Sequence, residues 1–178
     1  MANMFLKLGD IKGEARDVRH KGQIELDSWK WDGKGIQNNA PYNLEGKKPD
    51  DPATHTKVEN ISVTKWCDHA SVTLAQYCAL GTPIEEGVIS CLKNKGENLE
   101  QQTGMLQYSA FDYLVIIMKR VMIRSIVLQV NHNDTITETV ELNFEEFKIE
   151  YKGQADDDEQ EAVGCNDFGF DIKNHRKT

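Results

Sequence analysis

The chain has 178 residues and a mass of 20.2 kDa, a size that suits one domain built around one core. Hydrophobic residues make up 39% and charged residues 28%, a balance typical of soluble globular proteins and not of disordered chains. The formal net charge of -8 disfavours a nucleic-acid partner, because an acidic chain repels phosphate backbones.

Neither the start of the chain nor its most apolar stretch has the features of a membrane-targeting segment. Residues 1–10 are too few and too polar to form a signal peptide. The apolar residues 113–130 are interrupted by Lys119, Arg120 and Arg124, and such charges are costly in a spanning helix. We therefore expect no stable membrane insertion and folding in the cytoplasm. If the chain leaves the cell, it does so without a cleaved signal peptide.

Alternating apolar and polar residues predict strands over much of the chain. Strands are expected at residues 4–8, 61–65 and 87–92, and a longer one at residues 113–130. The long segment is apolar on both faces for much of its length, as strands buried on both sides are. One face can pack in the subunit core, but the chain offers little apolar material to cover the other. We expect a neighbouring copy of the chain to cover it.

Residues 23–31 change the phase of their alternation, which predicts a β-bulge near Asp27 and Ser28. After the change, Trp29 and Trp31 occupy the apolar positions. If they are exposed, the two rings can stack on sugars, as in a carbohydrate-binding β-sandwich; if they are buried, they anchor the core. Because they share one face beside a strand that already alternates, we assign both to the barrel core.

A second change of phase falls within residues 140–151. Leu142 and Phe144 are predicted to lie in the barrel core, and the alternation resumes beyond Glu145 and Glu146. Adjacent side chains of a strand point to opposite faces, so we expect these two carboxylates to face solvent and not to form a catalytic pair. Long strands with bulges suit a sheet that curls into a barrel.

One helix is predicted, at residues 69–80. Asp68 or Ser71 can cap its start, and Gly81 with Pro83 shortly after it ends the helix. Its single apolar face is typical of a helix that packs on a sheet. The predicted fold is therefore mainly β: a single-domain β-barrel or two-sheet sandwich with one α-helix packed on its side.

Two polar segments interrupt this pattern. Residues 32–57 are rich in Gly, Asn, Pro and Lys and are predicted to form an extended loop, a type of segment that is often functional. Residues 152–168 contain the acidic run 156–161 and are interpreted as a solvated, flexible loop. No linker divides the chain, so one domain is expected over residues 1–178, with residues 169–178 closing it.

The sequence contains none of the common catalytic or cofactor-binding motifs GxGxxG, the P-loop, GxSxG or HExxH. Its five histidines lie in polar segments and are expected to be exposed. Its four cysteines lack CxxC spacing and are expected to be buried thiols, although Cys67 and His69 offer two zinc ligands as an alternative. We expect no cofactor, no metal and no enzymatic activity; a Cys–His nucleophile pair has no local support.

Several segments in chain order carry a resemblance to one known family. They are residues 4–14 with His20, residues 24–31, residues 62–65 with 68–71, residues 95–98 with 113–125, residues 140–151 and residues 169–174. Together they resemble the haemolysin-coregulated protein (Hcp) family, whose members form the inner tube of bacterial type VI secretion systems. The third segment is similar to the family's F-x-K…D-K-x-[ST]-P entry into its helix, with Val72 in the place of the proline. Residues 99–111 look like an insertion.

The resemblance implies a β-barrel of two sheets with one helix on its side. Six copies would form a ring, rings would stack into a tail tube, and a contracting sheath would expel it. The implied partners are further copies of the chain, the sheath, spike and baseplate proteins, and small effector proteins held and protected in the lumen. A phage or phage-like tail tube protein remains an alternative, as does the carbohydrate-binding β-sandwich.

The resemblance also implies roles for particular residues. If Trp29 and Trp31 fill the core, Lys30 lies on the opposite face, which in the family lines the channel and meets the cargo. A solubilising surface lysine is the alternative. The extended loop resembles the family loop that reaches an adjacent ring. Its expected inter-ring residues are Ile36, Asn38, Tyr42 and Leu44.

Overall fold

The computed structural model describes residues 3–40, 55–94, 110–131, 134–153 and 165–178. The elements of these ranges are, in chain order, β1 (Met4–Leu8), β2 (Ile24–Glu25), β3 (Ser28–Trp31), β4 (Ile36–Asn38), β5 (Thr56–Val58), β6 (Ile61–Trp66), α1 (Ala70–Leu80), β7 (Ile84–Asn94), β8 (Ala110–Val130), β9 (Ile136–Asn143), β10 (Glu146–Lys152), β11 (Cys165–Asp171) and β12 (Arg176–Lys177). The predicted mainly β fold with one helix is confirmed.

Strand β8 organises the fold because it belongs to two sheets. Its first half lies between β7 and β10, and its second half pairs with β9. The first sheet has the order β12-β11-β10-β8-β7-β1-β2, and the second has the order β3-β6-β9-β8. The two sheets form a sandwich and do not close as a barrel. The two-sheet sandwich that the sequence predicted is therefore the correct form of the fold.

Both predicted bulges are corners at which the chain passes from one sheet to the other. After β2, which pairs with β1, the chain continues as β3, which pairs with β6. The exchange takes one residue: the Leu26 N–H bonds to the Met4 carbonyl, and the Asp27 N–H bonds to the Thr64 carbonyl. The same exchange separates β9 from β10. A chain that passes to the facing sheet has the core on its opposite side. The apolar residues therefore change from even to odd positions at each corner.

The corner between β9 and β10 also changes the surroundings of two carboxylates that the sequence predicted to face solvent. Nε of Arg120 lies 2.5 Å from Oε2 of Glu145, and Nη2 lies 2.5 Å from Oε1 of Glu146. In a straight strand the two acids would point to opposite faces. The corner turns both of them towards one guanidinium, so they form an ion-pair cluster at this junction.

The core lies between the two sheets. Leu142 and Phe144 are buried there, and Phe147 joins them from β10. The rings of Phe144 and Phe147 meet edge to face at a centroid distance of 6.1 Å, a favoured geometry for aromatic pairs. The second apolar phase, which begins with Phe147, therefore packs into the same core as the first.

The helix begins and ends near its predicted limits. Oδ1 of Asp68 accepts the backbone N–H of Ala70 at 2.9 Å, and Oγ of Ser71 accepts the backbone N–H of Asp68 at 2.9 Å. Both predicted capping residues therefore contribute. Gly81 ends the helix with φ 61°, a left-handed conformation that glycine adopts without strain. The helix packs against β8 at the side of the sandwich.

The expectation of exposed histidines is wrong for His20. The loop of residues 12–23 covers the outer face of the first sheet, where the imidazole stacks on Phe5 at a centroid distance of 4.6 Å. Nε2 of His20 lies 2.9 Å from Oδ1 of Asp112, and Nδ1 lies 3.1 Å from Oε1 of Gln23. Burial is possible here because both ring nitrogens have partners.

The cysteines divide between core and surface. Cys91 is buried and Cys78 is half-buried, whereas Cys67 is exposed. Cys67 follows the end of β6, where the chain leaves the sheet for α1, so its side chain lies outside the core that the sequence predicted for it. His55 and His69 are exposed.

The extended segment 32–57 starts as a two-stranded ribbon. Strands β4 and β5 pair through Ile36 with Val58 and Asn38 with Thr56. The tip of the segment, including the predicted contacts Tyr42 and Leu44, lies outside the described residues. The ribbon leaves and rejoins the second sheet at one place, between β3 and β6.

The acidic loop is shorter than the predicted range 152–168. Residues 165–168 belong to β11, because they pair in register with β10. The run 156–161 lies outside the described residues, as does the expected insertion 99–111 apart from the start of β8. In the described part of the chain, no helix is long and apolar enough to cross a membrane.

Candidate functional site on the outer face of the second sheet

Cross-strand pairing arranges the second sheet in rows that alternate between its two faces. Two rows face the core and are apolar: Trp31, Ile61, Leu142 and Ile123, then Trp29, Val63, Val140 and Ile126. The rows that alternate with them face outward: Lys30, Ser62, Glu141 and Ser125, then Ser28, Thr64, Thr139 and Val127, then Trp66, Thr137 and Gln129. We call the outward rows the polar face.

Lys30 stands on the polar face with its ammonium group in solvent. Its side chain is 73% exposed, and Nζ lies 3.6 Å from Oδ1 of Asp32. The two neighbouring tryptophans belong to the core rows, so Lys30 has the orientation that the alternation predicted. Its role in contacting cargo stays a prediction.

The two tryptophans have the opposite orientation. Nε1 of Trp29 donates to Sγ of Cys91 at 3.3 Å, and Nε1 of Trp31 donates to the Glu59 carbonyl at 2.8 Å. Both rings are half-buried and pack against the core. Burial also raises the pKa of the Cys91 thiol. The carbohydrate-binding alternative requires exposed rings at Trp29 and Trp31. Because both rings pack against the core, these tryptophans do not support that alternative.

The carboxylates of the polar face accept hydrogen bonds from neighbouring side chains. Glu141 accepts hydrogen bonds from Nδ2 of Asn60 at 2.6 Å and from Oγ of Ser125 at 2.9 Å. These two bonds hold the pKa of Glu141 below its ordinary value, because they favour the charged form. Asp32 accepts the hydroxyl of Ser62 at 2.6 Å. Both carboxylates are half-buried and occupied by donors of the same subunit.

The cations of the polar face are more exposed than its anions. Asp32 is 24% exposed, against 73% for its neighbour Lys30. Arg124 is exposed at the bulge where β8 shifts its register against β9, and its charge contributes to the lowered pKa of Glu141. The face thus carries two cations and two anions, and its cations extend further into solvent than its anions.

Trp66 is a residue of this face that the sequence did not identify. It is 49% exposed and pairs with Thr137. The apolar alternation of Ile61 and Val63 leads next to Lys65, which looks like the end of a strand. Lys65 nevertheless faces inward, as Ile61 and Val63 do. Trp66 therefore faces outward, on the same side of β6 as Ser62 and Thr64.

Lys65 is the buried counterpart of the polar face. Its Nζ donates to the Trp66 carbonyl at 2.7 Å, to Oδ1 of Asp68 at 2.6 Å and to Oγ of Ser71 at 3.2 Å. It also lies 3.7 Å from Oε1 of Glu138. Lys65, Asp68 and Ser71 belong to the segment that resembles the family's entry into the helix. In this structure they join the end of β6 to the start of α1.

Strands β8 and β9 continue past the core as a hairpin. Leu128, Val130 and Ile136 follow the core side of the alternation but are exposed, Val130 by 68%. We call these three residues the apolar tip. Val127, on the polar face, is exposed as well. The uncovered apolar surface that the sequence predicted for residues 113–130 lies at the C-terminal end of that segment.

Both edges of the second sheet lack a strand partner among the described residues. Strand β3 pairs only with β6, and from Met122 onward β8 pairs only with β9. Unpaired backbone N–H and C=O groups along such edges are ready to pair with another chain. In the same described ranges, no group of three or more His, Cys, Asp or Glu side chains is placed to hold a metal ion.

Comparisons with known proteins point in one direction. Residues 5–151 match a family model described as "Type VI secretion system effector, Hcp". The chain is 27% identical over 172 residues to Protein hcp1 of Pseudomonas aeruginosa. The alignment covers 96% of this chain and 95% of that protein. The fold is similar to the crystal structure of Hcp1 from Salmonella typhimurium, with a TM-score of 0.72, 25% identity and full coverage of both chains. A type VI secretion system effector from Yersinia pestis shares the fold with a TM-score of 0.68, 21% identity and coverage of 95% and 99%.

Proposed function

Because the chain belongs to the Hcp family of type VI secretion system proteins, we propose that it is a structural, non-enzymatic subunit of a secretion tail tube. Six copies form a ring, rings stack into a tube, and the tube is expelled with small effector proteins in its lumen. The chain then folds in the cytoplasm as one domain over residues 1–178. It leaves the cell with the tube.

The observation that carries this proposal is the pair of unpaired edges on the second sheet. A ring needs two different, complementary surfaces on each subunit. Edge β3 and the second half of β8 lie at opposite ends of the same four-stranded order. Pairing of one copy's β3 with the next copy's β8 would continue the sheet from subunit to subunit, with main-chain hydrogen bonds supplying affinity.

The apolar tip supports the same arrangement. Leu128 and Val130 belong to β8, which offers one of the two edges, and Val130 pairs with Ile136 of β9. Apolar side chains gathered beside a free edge mark an interaction surface. In a ring, a neighbouring copy covers both the edge and the tip. This gives the second half of β8 the cover that the sequence predicted.

A sheet continued around a ring has one face towards the axis. The first sheet covers the core side of the second sheet, so the polar face is the side left free to line the lumen. We assign Lys30 to the lumen surface, in agreement with the family resemblance. Effector proteins in the lumen would meet a hydroxyl-rich wall with Lys30 in one of its outer rows.

Two other surfaces suit the remaining partners. The ribbon β4–β5 projects from the second sheet with Ile36 and Asn38 exposed, and we assign it to contacts between stacked rings. The assignment of Tyr42 and Leu44 to the same contact stays a prediction. The outer face of the first sheet is charged, with Lys148 paired to Glu150 at 2.9 Å. That face would turn to the sheath, and the ends of the tube to the spike and baseplate.

Native mass spectrometry and negative-stain imaging of the purified full chain test the proposal. We expect a hexamer and rings with a central hole. A monomer that persists at high protein concentration would overturn the proposal, because the edges and the apolar tip would then remain uncovered in solution.

A further inference from the structure

The cations and the anions of the polar face differ in their exposure to solvent. Lys30 and Arg124 extend into solvent, whereas Asp32 and Glu141 are half-buried and accept hydrogen bonds from their own subunit. The 3.6 Å between Nζ of Lys30 and Oδ1 of Asp32 exceeds the usual length of a hydrogen bond. The ammonium group therefore keeps its donors available for an acceptor on another molecule.

We propose that the polar face recognises cargo through acidic surfaces, with Lys30 and Arg124 as the cations that meet the cargo carboxylates. This inference rests on the proposed function, since it requires the polar face to line the lumen. The two cations extend further into solvent than the two carboxylates, so a surface in contact with this face meets the cations at closest approach. The occupant is thus an acidic segment or patch of a small protein.

The rest of the face is uncharged and does not select a sign. Its outward rows consist mainly of hydroxyl side chains, which donate and accept hydrogen bonds with many partners. These side chains are Ser28, Ser62, Thr64, Ser125, Thr137 and Thr139. Selectivity for charge therefore falls to the exposed cations.

A ring repeats the weak contact in every subunit. A single exposed ion pair contributes little, but several pairs formed with one tethered cargo molecule add to its avidity. Six copies would place one Lys30 ammonium per subunit around the lumen. The acidic remainder of the subunit repels an acidic probe elsewhere, so binding of such a probe reports on the cationic region.

The test uses rings of the full chain and a fluorescently labelled polyglutamate peptide, with binding followed by fluorescence anisotropy. We expect binding that weakens as salt is raised, since salt screens exposed charges. Lys30→Glu should weaken binding by roughly tenfold, because each subunit loses a cation and gains an anion. Lys30→Gln should have a smaller effect in the same direction.

Lys7→Glu is the matched control, because Lys7 is exposed on β1 in the first sheet and its substitution changes the charge equally. It should leave peptide binding unchanged. Intact rings that do not bind polyglutamate, or rings weakened equally by Lys7→Glu and Lys30→Glu, would overturn the inference while leaving the proposed function in place. A monomer in native mass spectrometry would overturn both. If Lys30→Glu prevents ring formation, the neutral variant Lys30→Gln gives the decisive comparison.

Discussion

Lys65 is a charged side chain with 1% of its surface exposed. Its Nζ reaches Oδ1 of Asp68 at 2.6 Å and Oε1 of Glu138 at 3.7 Å. Neither carboxylate oxygen of Glu138 has a hydrogen-bond donor among the described residues, so Lys65 supplies its nearest positive charge. Buried charges are costly unless they are paired, which makes this group sensitive to the loss of one member.

We predict that Lys65→Met destabilises the subunit by about 3–5 kcal/mol, because it leaves the buried carboxylate of Glu138 and the half-buried carboxylate of Asp68 without their cation. Urea unfolding followed by circular dichroism measures the change. The double variant Lys65→Met with Glu138→Leu should recover part of the loss. The unmodified chain, the two single variants and the double variant form a double-mutant cycle. A small loss in the single variant, or no recovery in the double one, would contradict a coupled pair.

The sequence predicts some residues of the polar face and misses others for a physical reason. Lys30 lies between two tryptophans, so local alternation is enough to orient it. Lys65 is oriented by partners that come from the helix start and from β9, and a pattern within one strand does not reveal them. Because Lys65 looks like a strand end, the sequence predicts a strand that stops at residue 65 and misses Trp66, the next residue of the polar face.

At the scale of elements, the two corners determine how the sheets are joined. In β8, Arg120 has φ 51°, a left-handed conformation that is uncommon for a residue with a side chain. Its guanidinium bonds to Glu145 and Glu146 at the corner between β9 and β10. The hydrogen bonds that the guanidinium donates to these two carboxylates raise its pKa further. Arg120 thus connects the point where β8 passes from the first sheet to the second with the corner between β9 and β10.

We predict that Arg120→Gly is less destabilising than Arg120→Ala. Both substitutions remove the two ion pairs, but only alanine keeps a Cβ in the left-handed conformation. Urea midpoints compared at equal m-values give the order of stability. If Arg120→Gly proves no more stable than Arg120→Ala, backbone strain at this corner makes no measurable contribution.

The alternation of residues predicts the longer strands up to β10 and the positions of both phase changes, but it misses β4, β5, β11 and β12. It did not distinguish a bulge from a corner, because either one shifts the apolar phase by one residue. The distinction depends on which strands pair on each side of the change. Residues 165–168 show the same dependence: their polar composition suggested a loop, but pairing with β10 places them in a strand.

At the scale of the whole molecule, the apolar tip tests the proposed ring. We predict that Val130→Lys disrupts hexamers, because it places a charge in the surface that a neighbouring copy covers. The free energy of unfolding of the separated subunit should change by no more than about 0.5 kcal/mol, since Val130 is already exposed in it. Native mass spectrometry and urea unfolding measure the two effects.

Val18→Lys is the control for this prediction. Val18 is 95% exposed, but it lies in the loop over the first sheet, away from both free edges. Its substitution should leave the hexamers intact. Hexamers that survive Val130→Lys, or that are lost equally in both variants, would contradict the assignment of the apolar tip to the ring interface.

Strand β8 runs for 21 residues through both sheets. Peeling either layer away from the other would strain this shared strand, whose neighbours are β7 and β10 in one layer and β9 in the other. A load applied to a free edge of the second layer is therefore passed along covalent bonds into the first. In the proposed tube, each subunit would therefore resist shear between its two layers as a single block.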